Sequence, residues 1–118
     1  MNHERQRSVV YLGKRTPVGC RVVVETGGRW WPLQHIVSHS PDNFEWGSED
    51  SGPIVLDLAL SLLVHTLQDR DPYRRASGLH EAFTRDIVAG LRDNWRLPQT
   101  DVLAWIAVQD SSQTGETV

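Results

Sequence analysis

Cysteine occurs once in the 118-residue chain, at Cys20, which excludes an internal disulfide, a zinc ribbon and an iron–sulfur cluster and points to a thiol in a reducing compartment. Nor is there a long hydrophobic run. The longest, Ile54 to Val64, is broken by Asp57 and Ser61, so a membrane span is excluded. Residues Met1 to Ser8 carry His3, Glu4, Arg5 and Arg7 ahead of no apolar stretch; no secretory leader is expected, and the location expected is cytoplasmic. A surplus of one charge sign is missing too: 12 basic residues stand against 15 acidic ones, a net charge of −3, too little for a polyanion-binding surface. Phosphate loops of the G-x-x-x-x-G-K-[ST] or G-x-G-x-x-G kind are absent, and Gly47 and Gly52 flank the acidic run Ser48-Glu49-Asp50-Ser51, poor company for a phosphate.

What is present suits one α+β domain. Val9 to Leu12 is a short apolar run ended by Gly13, and Lys14-Arg15-Thr16-Pro17 reads as the loop after it. Arg21 to Thr26 and Arg29 to Val37 are rich in branched and aromatic residues and flank Gly27-Gly28. That pattern predicts a hairpin with a primed two-residue turn, because glycine reaches positive φ at both turn positions without steric cost. Thr26 then faces Arg29, Glu25 faces Trp30, Val24 faces Trp31 and Val22 faces Leu33. Val22, Val24, Trp31 and Leu33 form the core side; Arg21, Val23, Glu25, Trp30, Pro32 and Gln34 form the solvated side, with Pro32 marking an edge strand.

After a loop over Ser38 to Asp50, Ser51 is a natural N-cap and Pro53 a first-turn residue for a helix over Ile54 to Leu67. Nearly every position there is apolar except Asp57, Ser61 and His65, which form a narrow stripe read as solvated on an otherwise buried helix. Gln68 to Arg75 reads as a charged loop, and Ser77-Gly78 as the cap of a second helix with Leu79, Phe83, Ile87 and Leu91 on one face. Asn94 to Pro98 reads as a connector anchored by Trp95, and Thr100-Asp101 as the cap of a last helix over Val102 to Val108. The expected organisation is a flexible N-terminus over residues 1–8, one domain over 9–108 and a flexible tail over 109–118. The domain is an antiparallel meander of about three strands packed on two or three helices.

The candidate chemistries each meet a physical objection. Asp57, Ser61 and His65 are the residue types of a catalytic triad, but on a helix Asp57 and His65 lie about 12 Å apart along the axis, beyond hydrogen-bond reach. His35 and His39 have a metal-ligand spacing only if helical, and no second pair of ligands lies near them, so no metal is expected. Cys20 sits near Lys14, Arg15 and Arg21 but lacks a partner base and reads as a buried, inert thiol. No catalytic residue and no cofactor is implied. The basic residues are scattered; Lys14, Arg15, Arg74 and Arg75 are the set a nucleic-acid-associated accessory protein would use.

Tryptophan is in excess, with 5 in the chain. Trp31, Trp46, Trp95 and Trp105 are placed as core or loop anchors, whereas Trp30 stands on the outer face beside Arg21, Glu25 and Arg29, the composition of a protein-binding hot spot. The stretch Phe44-Glu45-Trp46-Gly47-Ser48-Glu49-Asp50-Ser51-Gly52-Pro53, followed by Leu56, Leu58-Ala59-Leu60 and Leu62-Leu63, resembles the signature of an uncharacterised family of small bacterial and phage proteins. That family has a Phe-x-Trp-Gly then Gly-Ser-Gly-Pro pattern before a leucine-alanine-rich helix; Asp50 stands here in place of the first glycine of Gly-Ser-Gly-Pro. The resemblance extends over roughly Val9 to Val108 and brings no catalytic residues with it. It implies a mobile-element context, in which small proteins act by blocking host machinery. The expected function is therefore a non-enzymatic protein-binding module with Trp30, Arg29, Glu25 and Arg21 as its contact residues. In the context that the resemblance implies, it is an inhibitor of a host defence complex, such as CRISPR-Cas. Its partner is a host or phage protein complex; nucleic acid is the alternative partner, and pairing of two copies through the hairpin edge stays open.

Overall fold

The computed structural model describes residues 8–17, 19–34, 36, 44, 46, 53–67 and 70–116. Its elements are β1 (Val10–Thr16), β2 (Gly19–Thr26), β3 (Arg29–Pro32), α1 (Pro53–Thr66), α2 (Pro72–Asp86), a short 3₁₀ turn (Val88–Gly90), β4 (Asn94–Pro98) and α3 (Gln99–Glu116). The four strands form one antiparallel sheet in the order β3-β2-β1-β4. The α+β class is as expected.

The β2–β3 hairpin has the register that the Gly-Gly pair dictates: Thr26 faces Arg29, Glu25 faces Trp30 and Val24 faces Trp31. Gly27 and Gly28 take φ values of 58° and 81°, the left-handed region in which a side chain would be strained. The backbone N–H of Leu33 donates to Val22 at 3.0 Å, continuing the pairing one residue beyond β3.

Alternation along each strand separates two faces. Tyr11, Val22, Val24, Trp95 and Leu97 point inward and share one core with Leu58, Leu62 and Leu63 of α1, Leu79 and Phe83 of α2, and Val102 and Ile106 of α3. The helices thus lie against one face of the sheet, and among the described residues no element packs on the other, bare face, where Val10 alone is buried.

Several expectations are corrected. The sheet has four strands because Asn94–Pro98 is a strand and no connector. Trp95 and Leu97 are buried and Arg96 exposed, a period of two too short to stand out beside Pro98. β1 does not stop at Gly13 but runs on through Lys14, Arg15 and Thr16, because Gly13 lets the Trp95 indole of β4 lie against the strand. Ser77 and Gly78 are inside α2, which begins at Pro72. Its cap is Asp71, whose carboxylate accepts the Arg74 N–H at 3.2 Å, with the proline placed where no N–H is required.

The α2 face is carried past the helix end by the 3₁₀ turn, so Ile87 and Leu91 pack on the core from outside the helix. α3 begins at Gln99, before the expected cap, with the Gln99 N–H held by the Val9 carbonyl at 2.8 Å; it continues to Glu116, so regular backbone hydrogen bonding extends into the segment read as a tail. Trp31 is 41% exposed and not a core residue, because β3 is the sheet edge and its inward face overhangs the helices. Ser51 and the Gly47 to Gly52 part of the family signature, like His35 and His39, lie outside the described residues.

Candidate protein-binding face

The bare face is built from three cross-strand rows. The first is Pro98, Val10, Glu25 and Trp30; the second is Arg96, Leu12, Val23 and Pro32; the third is Asn94, Lys14 and Arg21. Leu12 and Val23, at the centre, are half-buried, while Trp30 is 67% exposed and Pro32 is exposed beside it. A concavity of about 800 Å³ is lined by Leu12, Lys14, Arg21, Val23, Trp30 and Pro32 of this face, and it reaches past the sheet to the core side at Cys20, Val22, Leu33, Phe44 and Trp95. An apolar floor with cations at its edge is the anatomy of a contact surface: the large amphipathic ring buries area at little entropy cost, and the charges fix orientation.

Of the contact residues expected from sequence, Trp30, Glu25 and Arg21 are brought onto this face. Arg29 is not: it pairs with Thr26, and alternation along β3 puts it with Trp31 on the opposite side. Leu12 and Arg96 are absent from the residues expected from sequence, and Lys14 is expected there only in the nucleic-acid set. The alternation of Leu12 and Lys14 with Tyr11 and Gly13 was the available signal, hidden by reading Gly13 as a strand end.

The alternative basic set does not form one surface. Lys14 belongs to the bare face, whereas the Arg15 side chain turns inward: its Nε donates to Asp93 Oδ1 at 3.0 Å, Nη1 to Cys20 Sγ at 3.3 Å and Nη2 to the Trp46 carbonyl at 3.4 Å. Its guanidinium also lies 5.2 Å from the Trp46 ring centroid. Cys20 is buried in this contact. Arg74 and Arg75 are across the molecule on α2, where Arg75 pairs with Asp110 of α3.

The stripe on α1 departs from its reading as solvated. Asp57 and Ser61 are buried, and Ser61 Oγ accepts the Ile36 N–H at 3.2 Å, so a segment beyond β3 covers that part of the helix. Of the three only His65 reaches the surface, with part of its ring still enclosed. Its Nδ1 lies 2.9 Å from the Tyr11 hydroxyl, which also meets Thr66 Oγ1 at 2.9 Å and accepts from Gln99 Nε2 at 2.7 Å. Asp57 and His65 make no contact of the triad kind: the hydroxyl His65 meets is the phenol of Tyr11, which is tied to Thr66 and Gln99 as well and is no free nucleophile. Among the described residues no group of three or more His, Cys, Asp or Glu is placed to hold a metal ion, and no helix is long and apolar enough to cross a membrane.

Burial pushes the His65 imidazole below its ordinary pKa of 6.5. The unfolded chain takes up this proton more readily than the folded one, so the stability linked to His65 is complete above 6.5 and lost as pH falls through the folded value. Melting temperature should therefore drop between about pH 7 and about pH 5.5, and His65→Gln should flatten that interval. An unchanged slope in the variant would locate the effect elsewhere.

A family model described as a family of unknown function (DUF6166) matches residues 11–108. No curated protein matches the chain, and no solved structure does.

Proposed function

We propose a protein-binding role, without catalysis, for this chain, which belongs to a family of unknown function (DUF6166). The observation that carries the reading is the bare sheet face, with Trp30 67% exposed over an apolar floor of Leu12, Val23 and Pro32. A tryptophan so placed contributes nothing to the core and keeps a large apolar area in water, a cost recovered when a partner covers it.

The sheet edge is a poorer docking element than the face. With Thr26 and Arg29 closing the turn and Val24 and Trp31 bonded as the next pair, Trp30 and Pro32 turn their backbone groups toward the free edge of β3. Pro32 has no N–H to offer there, so a strand added along β3 would find few donors, which disfavours pairing of two copies through this edge. Occlusion of a partner's surface is the mode of action that fits such a face. In a mobile-element setting the partner would be a host complex, a defence complex among them, held inactive by the bound domain.

Trp30→Ala tests this. Because the ring is outside the core, stability to urea should change by less than about 0.5 kcal/mol. Capture of a partner from nuclease-treated host lysate should nevertheless fall by at least about tenfold, the loss of a hot-spot aromatic. Unfolding of the variant would remove Trp30 from the outer face, and capture that survives the substitution or vanishes with nuclease would reject the reading.

A further inference from the structure

We infer that the partner segment seated on the bare face is acidic, with an apolar anchor residue two to four positions from a carboxylate. This rests on the protein-binding reading above and specifies the chemistry of the partner. The decisive feature is the third row, in which Lys14 and Arg21 stand directly opposite each other on neighbouring strands. Like charges so placed repel, with β-carbons about 5 Å apart. Among the described residues neither forms an ion pair, so nothing there offsets the repulsion until an anion arrives. Arg96 adds a third cation beside Leu12. One carboxylate set between Lys14 and Arg21 relieves the repulsion and satisfies both donors, and carboxylates are the anions that a protein partner carries.

The rows give the spacing. Successive rows are two residues apart along a strand, about 7 Å, and an extended chain advances about 3.3 Å per residue. A side chain resting on Pro32 and Val23 is therefore two residues from an acid at Lys14 and Arg21, and one resting on Trp30 is four residues away. Glu25, opposite Trp30, repels acid at the hairpin end and so sets the direction in which the segment lies. Nucleic acid fits less well: among the described residues Trp30 is the single aromatic ring on this face, where stacking platforms use successive rings, and Glu25 would meet the phosphates beside it. The floor under the remaining positions is aliphatic, suited to leucine or phenylalanine.

The experiment selects a library of displayed random peptides against the intact domain, measures the winning peptides by fluorescence anisotropy, and runs labelled oligothymidylate in parallel. Winning peptides should combine aspartate or glutamate with leucine, phenylalanine or tryptophan at this spacing. Their affinity should fall as salt rises and drop at least about tenfold in Lys14→Glu with Arg21→Glu. The single variant Lys14→Glu turns a repulsive pair into an attractive one, so it should melt no lower than the parent while binding these peptides more weakly, which separates loss of the site from loss of the fold. Peptides that need Trp30 but ignore both charge reversals would overturn the acidic assignment and leave the protein-binding reading standing. Absence of any Trp30-dependent peptide, or binding of oligothymidylate in its place, would overturn both.

Discussion

Gly13→Ala should cost about 3 kcal/mol of stability, and Gly13→Val should fail to give a native fold, although both replace a small residue in a strand with one of higher strand propensity. A Cβ at Gly13 would fall inside the van der Waals envelope of Trp95 Cε2, Nε1 and Cζ2. The indole has nowhere to retreat. It is nine-tenths buried and meets the Trp46 ring edge-on, with centroids 5.4 Å apart and planes at 88°. Trp46 is in turn fixed by its own Nε1, which donates to the Arg92 carbonyl at 2.6 Å, and by the Arg15 guanidinium beside its ring. Displacing Trp95 therefore disturbs the joint between β1, β4 and the segment around Trp46, and overpacking of that kind is costlier than at a yielding site. Trp95→Leu should rescue part of the loss in a double mutant, since the clash and its relief share one contact. Urea denaturation of the two single variants and the double variant measures this. A Gly13→Ala protein as stable as its parent, or a double variant that merely adds the two single losses, would mean that the indole is not what requires glycine.

Trp95 also carries the one buried side-chain donor without a partner among the described residues, its Nε1. An orphaned N–H costs about 1–3 kcal/mol, and the ring that carries it packs against Gly13 and Trp46. The hairpin and α1 announce themselves through local signals, a Gly-Gly pair between branched runs and a long apolar helix, whose physics acts within a few residues. The pairing of Gly13 with Trp95 joins positions 82 residues apart (95 − 13), and nothing local distinguishes a glycine that ends a strand from one that admits a ring.

The same limit governs the candidate site. Arg21, Glu25 and Trp30 could be assigned to one face because one turn fixes their register. Lys14 and Leu12 join them only once β1 is known to lie beside β2, and Arg96 only once β4 takes the far edge. Arg29 is next to Trp30 in sequence, yet neighbours along a strand point to opposite faces. On α1 the periodicity groups Asp57, Ser61 and His65 on one face, but it reports which residues are grouped and not what covers them. The Ile36 N–H on Ser61 and the Tyr11 hydroxyl at His65 come from other parts of the chain.

Tyr11 is the residue on which those parts converge, and its removal should be the most damaging substitution of a single core side chain. The ring is fully buried, paired across the sheet with Val24 and Leu97. Its hydroxyl ties the end of α1, through His65 and Thr66, to the start of α3, through Gln99. One donated and two accepted bonds saturate a phenol oxygen, whichever of His65 and Thr66 takes the proton. Tyr11→Phe keeps the packing and leaves those groups short of a partner, an expected loss of about 1–3 kcal/mol. Tyr11→Ala adds an aromatic-sized cavity and should lose about 5 kcal/mol or more, enough to unfold a domain of this size. The hydroxyl also leaves a signature in pH. Burial raises the Tyr11 pKa above its ordinary 10.0, against the smaller opposing effect of the bonds from Thr66 and Gln99. The folded state thus holds the proton more tightly than the unfolded one, so the linked stability is complete below 10.0 and lost as pH rises through the folded value. Tyr11→Phe should start less stable and lose less between about pH 9 and about pH 11, so that its urea midpoint converges on that of the parent. Parallel curves would show that the phenol gives up its proton as readily in the folded chain as in the unfolded one. Because Tyr11 supports the sheet from behind, with Val10 and Leu12 presented on the other side, Tyr11→Phe should leave partner capture unchanged wherever the domain is still folded, in contrast to Trp30→Ala, which should remove capture and leave stability unchanged.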